Sequence, residues 1–122
     1  MAQILVVDDS STMREIVSSF LTHNGFDVAV ANDGRAGLQL LQEDTDIKLV
    51  VSDINMPNMD GLTMADKIRT ELGNTSVRIV MLTTEDNASM RARGKEIGIT
   101  GWIVKPFRGE AVLGPFRKLC GM

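Results

Sequence analysis

ILVVDDSSTMREIVSSFLTHNG, residues 4–25, reads as one strand followed by one helix. Four apolar residues, Ile4 to Val7, stop at Asp8 and Asp9, and a Ser/Thr-rich start follows in which Thr12 and Glu15 have capping-box spacing. Met13, Ile16, Val17, Phe20 and Leu21 then recur at helical spacing until His23, Asn24 and Gly25 supply a stop. An uninterrupted apolar run this short suits a strand covered on both faces, and the helix after it suits the crossover to a parallel neighbour.

The same alternation continues outward. Val28 and Val30 alternate with Asp27, Ala29 and Ala31 as an edge strand does, and Asp33 caps a helix through Leu38 and Leu41. Residues 48–53 form a central strand, Asp60 caps a third helix carrying Ala65, Ile68 and Leu72, and residues 77–82 form the fourth strand. The fourth helix, about residues 87–97, keeps only Met90, Gly94 and Ile97 at apolar spacing, which predicts loose docking and freedom to move. In the fifth, Val112, Phe116 and Leu119 share a face, and the interior Pro115 predicts a kink or a restart. Five βα units of this kind make an α/β domain with a parallel sheet.

The strand ends carry the chemistry. Residues 4–7 lead to Asp8 and Asp9, residues 49–51 to Asp53, residues 79–82 to Thr83, and residues 102–104 to Lys105. In an open parallel sheet these ends share one edge, where ligands bind at the reversal of strand order. Asp8 or Asp9 would serve as an ordinary helix cap, but Asp53 lies too far ahead of its helix, which Asp60 already caps. Three carboxylates and one ammonium sum to a charge of −2, which a divalent cation neutralises. Magnesium prefers hard oxygen donors and takes one or two carboxylates directly, a role suited to Asp9 and Asp53, with Asp8 on a metal-bound water. A carboxylate is also a nucleophile toward phosphorus. Asp53, between metal and lysine, is the best acceptor, with Lys105 and Thr83 neutralising and hydrogen-bonding the phosphoryl oxygens.

Composition narrows the alternatives. The 122 residues fit one domain spanning 1–122 without an output domain, and a net charge of −3 argues against a nucleic-acid partner, which needs a basic stripe. The first apolar run is too short for a signal peptide or a membrane span, so the expected location is the cytoplasm. The single cysteine, Cys120, excludes an internal disulfide and is expected to pack the C-terminal end. His23 suits the last turn of its helix, and Met56 and Met59 are expected to pack Pro57. A flavodoxin would need a phosphate cradle after strand one, where Asp8 and Asp9 repel phosphate. A phosphohydrolase would carry an acid two residues after the nucleophile, where Asn55 stands.

Four motifs, VVDDSSTMR (residues 6–14), SDINMPNMDG (52–61), MLTTE (81–85) and GITGWIVKPF (98–107), occur in order at the intervals of a known family. Over its whole length the chain resembles the response-regulator receiver domains, most closely the single-domain regulators of chemotaxis. The resemblance implies a flavodoxin-like (βα)5 fold with strand order 2-1-3-4-5, an order taken from the family. It also implies that Asp53 is the phosphoacceptor, that Asp8, Asp9, Asp53 and the backbone carbonyl of Asn55 hold Mg2+, and that Thr83 and Lys105 engage the phosphoryl group. Asn55 and Glu85 match positions that tune dephosphorylation, and Lys105 and Pro106 the pair joined by a cis bond. Trp102 matches the switch aromatic that turns inward with the hydroxyl of Thr83. Tyrosine or phenylalanine is usual there, and an indole is larger and carries an N–H that needs a partner when buried.

The partners so implied are a chemotaxis-type histidine kinase, a flagellar motor-switch protein and a dedicated phosphatase, acting on a monomeric chain that catalyses only its own phosphorylation and dephosphorylation. Helix four, strand five and helix five form the expected partner face, with Arg91, Lys95 and Lys118 as a basic rim around Trp102. A phosphate sink or relay carrier without motor binding stays open, because output is written on a surface.

Overall fold

Strand β1 (Ile4–Val7) is buried along its whole length, which requires cover on both faces. In the computed structural model, which describes residues 2–84 and 87–121, two helical layers supply that cover. The chain continues through α1 (Ser11–His23), β2 (Val28–Ala31), α2 (Gly34–Glu43), β3 (Leu49–Asp53), α3 (Gly61–Thr70), β4 (Arg78–Thr83), α4 (Ala88–Ile97), β5 (Gly101–Val104) and α5 (Gly109–Leu119). All neighbouring strands pair in parallel, in the order β2-β1-β3-β4-β5.

The unbroken apolar runs conceal a period of two. Leu5, Val7, Val50 and Met81 face a core shared with Leu41, Met64 and Ile68, while Ile4, Val6, Val51 and Leu82 face one shared with Val17, Leu21, Val112 and Phe116. Helices α2 and α3 therefore cover one side of the sheet, and α1 and α5 the other. On the outer strand β2 the pattern relaxes: Val30 is exposed and Ala31 buried.

Side chains close the starts of the first four helices, with one correction to the sequence reading, while α5 has no side-chain cap. Asp33 accepts from the N–H of Ala36 and Asp60 from that of Thr63, at 2.8 and 2.7 Å. The first helix, however, is capped by Ser10, whose Oγ accepts from Met13 N–H, and not by Thr12. Thr12 lies inside the helix because α1 begins at Ser11, four residues after the end of β1 at Val7. Asn87 caps α4, accepting from Met90 N–H at 2.8 Å, and α1 ends as expected at Asn24, with Gly25 at φ +94°.

Helix α5 runs unbroken through Pro115 and does not restart there. The hydrogen bond that Pro115 cannot donate would fall on the carbonyl of Ala111, one turn back, and both residues are exposed, on the side of α5 where such a loss costs least. A second correction concerns the methionines. Met56 is buried in the core, and Met59 lies against Gly34, while Pro57 stays exposed. Cys120 packs among Val112, Phe116 and their neighbours, and burial pushes its thiol pKa up. His23 is exposed in the last turn of α1.

Candidate functional site

Register brings the strand ends together. Val7 lies opposite Ser52, Asp53 opposite Leu82 and Thr83 opposite Val104, so Asp8, Asp53, Thr83 and Lys105 leave the sheet on one edge. The chain passes from β1 out to β2 and returns to β3 on the other side of β1, so this edge includes the reversal point.

Three carboxylates converge there. Ligand oxygens of Asp8, Asp9 and Asp53 all lie within 4.8 Å of one another. Asp8 and Asp53 are buried, and Asp9 is exposed at the mouth. From the far side Lys105 brings its ammonium to 3.4 Å from Asp53 Oδ1 and 3.9 Å from Asp8 Oδ2. The Lys105–Pro106 peptide is cis, as the family pattern implies.

Backbone donors fix the carboxylates. Ser10 N–H donates to Asp8 Oδ1 and Ile54 N–H to Asp53 Oδ1, each at 2.9 Å. Burial raises the pKa of Asp8, with Asp53 and Asp9 adding to the rise, while the Ser10 N–H and Lys105 oppose it. Crowded acids that resist ionising together are what a dication would relieve. The donor set, all oxygen and mutually close, fits a hard divalent ion such as magnesium.

The other expected residues are distributed along the structure. Thr83 is buried at the end of β4, and Asn55 is exposed just past Asp53. Glu85 lies outside the described residues. Trp102 sits on β5 on the face away from Ile103, half-buried, with the guanidinium of Arg91 5.5 Å from its ring centroid. Arg91, Lys95 and Lys118 are exposed. Lys118 borders a cleft of about 440 Å3 between β5 and α5 that Trp102, Val112, Pro115 and Phe116 also line.

Two supporting residues escaped the sequence reading although the quoted motifs contain them. Arg14 donates from Nη1 to the main-chain carbonyl of Asp8 at 2.7 Å, tying α1 to the acidic turn. Gly61 donates its N–H to the Ile54 carbonyl at 2.8 Å, and a side chain there would run into the carbonyl oxygen of Asp53. Arg14 carries no spacing signal. A glycine directly after a helix cap was the available hint for the other, since close backbone approach is a reason to lack a Cβ.

The model of the response regulator receiver domain family matches residues 4–114. The chain belongs to that family. Among curated receiver proteins, a chemotaxis protein CheY homolog of Campylobacter jejuni is 41% identical over 111 residues, covering 90% of this chain and 85% of the relative. Among solved structures, the chemotaxis protein CheY4 of Vibrio cholerae superposes with a TM-score of 0.89 at 38% identity, over 98% of both chains. The Thermotoga maritima response regulator TrrA, solved in complex with Mg(2+)-BeF, has a TM-score of 0.82 at 28% identity, covering 98% of this chain and 99% of its own. This receiver domain is therefore of the CheY type and a component of two-component phosphorylation signalling. No described helix is long and apolar enough to cross a membrane.

Proposed function

We propose that this chain is a cytoplasmic response regulator that takes a phosphoryl group from a histidine kinase onto Asp53 and signals in chemotaxis through the flagellar motor switch. The observation that carries the reading is the Lys105 ammonium, 3.4 Å from Asp53 Oδ1, facing the cluster of Asp8, Asp9 and Asp53. Both hydrogen bonds to the Asp53 side chain, from Ile54 N–H and from Lys105, fall on Oδ1. Oδ2 is thus the oxygen left to attack phosphorus. The new O–P bond forms as the P–N bond of the phosphohistidine breaks, and the departing imidazole takes up its proton from solvent.

Asp8, Asp9, Asp53 and the main-chain carbonyl of Asn55 would hold a magnesium ion, which when bound supplies positive charge against the donor phosphoryl oxygens. Lys105 orients the acceptor and neutralises charge on the transferred group, and the Thr83 hydroxyl donates to one of its oxygens. Asn55, exposed just past Asp53, and Glu85, by its place in the family's motif, tune the attack of water and hence the lifetime of the acyl phosphate. Output runs through the face of α4, β5 and α5, where Trp102 and the apolar cleft stand within a rim of Arg91, Lys95 and Lys118 that suits an acidic segment.

Incubation with a small acyl phosphate and magnesium is expected to add one acid- and base-labile phosphoryl group, absent in Asp53→Asn and in excess chelator. Labelling of the mutant would refute the assignment. A motor-switch peptide should bind the phosphorylated chain more tightly than the unmodified one, and Trp102→Ala and Lys95→Glu should weaken it. Equal affinity in all these conditions would replace motor output with a phosphate sink or relay carrier.

A further inference from the structure

Gly94 is the buried residue of helix α4, and the indole of Trp102 is what covers it. A Cβ placed on Gly94 would lie 2.5 Å from Trp102 Cζ2 and 3.3 Å from Cη2, with Ile99 Cγ1 at 3.2 Å. Arg91, on the preceding turn, holds its guanidinium 5.5 Å from the centroid of the same ring. Glycine inside a helix is unfavourable unless packing calls for it, and here the benzo ring fills the space a side chain would take. A ring this wide on β5 and a missing Cβ on α4 are complementary shapes.

The far end of the helix is anchored separately. Arg69 on α3 donates from Nε to the carbonyl of Ile97 at 3.3 Å and from Nη2 to that of Gly98 at 2.9 Å. Its Nη1 reaches the carbonyls of Asn74 and Val77 at 3.1 and 2.6 Å. The C-terminal end of α4 is thereby fastened to α3 and to the start of β4, while its N-terminal end adjoins the loop after Thr83. Between the two, Trp102 on Gly94 is the seat.

We propose that Gly94 is the positioning residue of Trp102. It holds the indole on α4, so that the signal leaves this receiver as a displacement of the helix with the indole riding on it, rather than as an indole turning alone into the interior. The proposal rests on the reading of Trp102 as the switch residue. An indole that turned inward alone would strip α4 of the contact over its buried glycine, and Arg91 of its ring. The two elements are coupled by shape, and a movement of either is felt by the other.

The test is a thermal-unfolding cycle on the full chain with Gly94→Ala, Trp102→Ala and the double variant. Alanine is the better helix former, so with the ring gone Gly94→Ala should raise Tm by about 3 °C. With the ring present the added methyl displaces the indole, and Tm should fall by about 5 °C. Acrylamide quenching of Trp102, the chain's one tryptophan, should rise in Gly94→Ala. A rise in Tm in both backgrounds, or unchanged quenching, would overturn the proposal. A second arm follows quenching and amide exchange of residues 88–96 in the wild type before and after modification by an acyl phosphate and magnesium, with labelling confirmed by mass. Helix exchange should quicken as quenching changes. Reduced quenching with exchange unaltered would mean that the ring turns by itself and would refute the coupled movement. Failure of labelling would count against Asp53 as acceptor alone, because the unfolding cycle needs no phosphoryl group.

Discussion

The ammonium of Lys105, at the end of the outer strand β5, reaches across β4 to within 3.4 Å of the Asp53 carboxylate on central β3. It does so from a largely buried position, its side chain one-fifth exposed, where a charge pair is screened little by salt. The lysine therefore serves two ends: it offsets carboxylate repulsion in the resting protein and offers charge to an arriving phosphoryl group.

Those two ends separate on mutation. Lys105→Met leaves three carboxylates with no cation among them, so magnesium should bind at least as tightly as in the wild type. Phosphorylation by an acyl phosphate should nonetheless slow by about 100-fold, in the range for losing one preorganised electrostatic contact. Magnesium titration beside labelling kinetics decides it. Weaker metal binding together with an unchanged labelling rate would contradict both roles.

Asp8 gives the pH dependence. Its folded-state pKa is raised above the ordinary 3.8, first by burial, so the folded chain binds a proton that the unfolded chain releases. Its contribution to stability is full below 3.8 and is lost as pH rises through the raised folded value. In metal-free buffer Asp8→Asn, which keeps an acceptor for Ser10 N–H, should stabilise the protein at neutral pH. Added magnesium should reverse the order by stabilising the wild type more. Denaturant unfolding with chelator and with magnesium measures both.

Gly61→Ala should cost about 3 kcal/mol, because the new methyl meets the main-chain oxygen of Asp53 and not a side chain able to move aside. Helix propensity alone would favour alanine. Unfolding midpoints give the sign, and a stabilised variant would show that α3 can slide away from β3.

Arg69 should be irreplaceable by lysine. Its fork serves four carbonyls, on Asn74, Val77, Ile97 and Gly98, and an ammonium has three donors without that planar spread. Arg69→Lys is expected to cost about 2 kcal/mol and to speed amide exchange at residues 97–99 ahead of the sheet. Uniform exchange across the chain would argue that the end of α4 is held by packing alone.

The five strands, the sheet edge that carries Asp8, Asp9, Asp53, Thr83 and Lys105, and the caps at Asp33 and Asp60 were legible in the amino-acid sequence. These follow from local patterns, since an apolar run ending in a charge, or an acid one residue ahead of a helix, means the same in most contexts. Other features came from packing. Thr12 and Ser10 are both of a type that caps helices, and it is Ser10 that takes the extended backbone of a cap and accepts from Met13 N–H. Pro115 signalled a break, but it lies on the exposed side of the helix with Ala111 one turn back, and α5 continues through it. The grip of Arg14 on Asp8, the fit of Gly61 against Asp53 and the seat of Trp102 on Gly94 join residues on different elements or turns that no periodicity links. They depend on how close two backbones come, a distance that packing sets and that a single chain of letters does not encode.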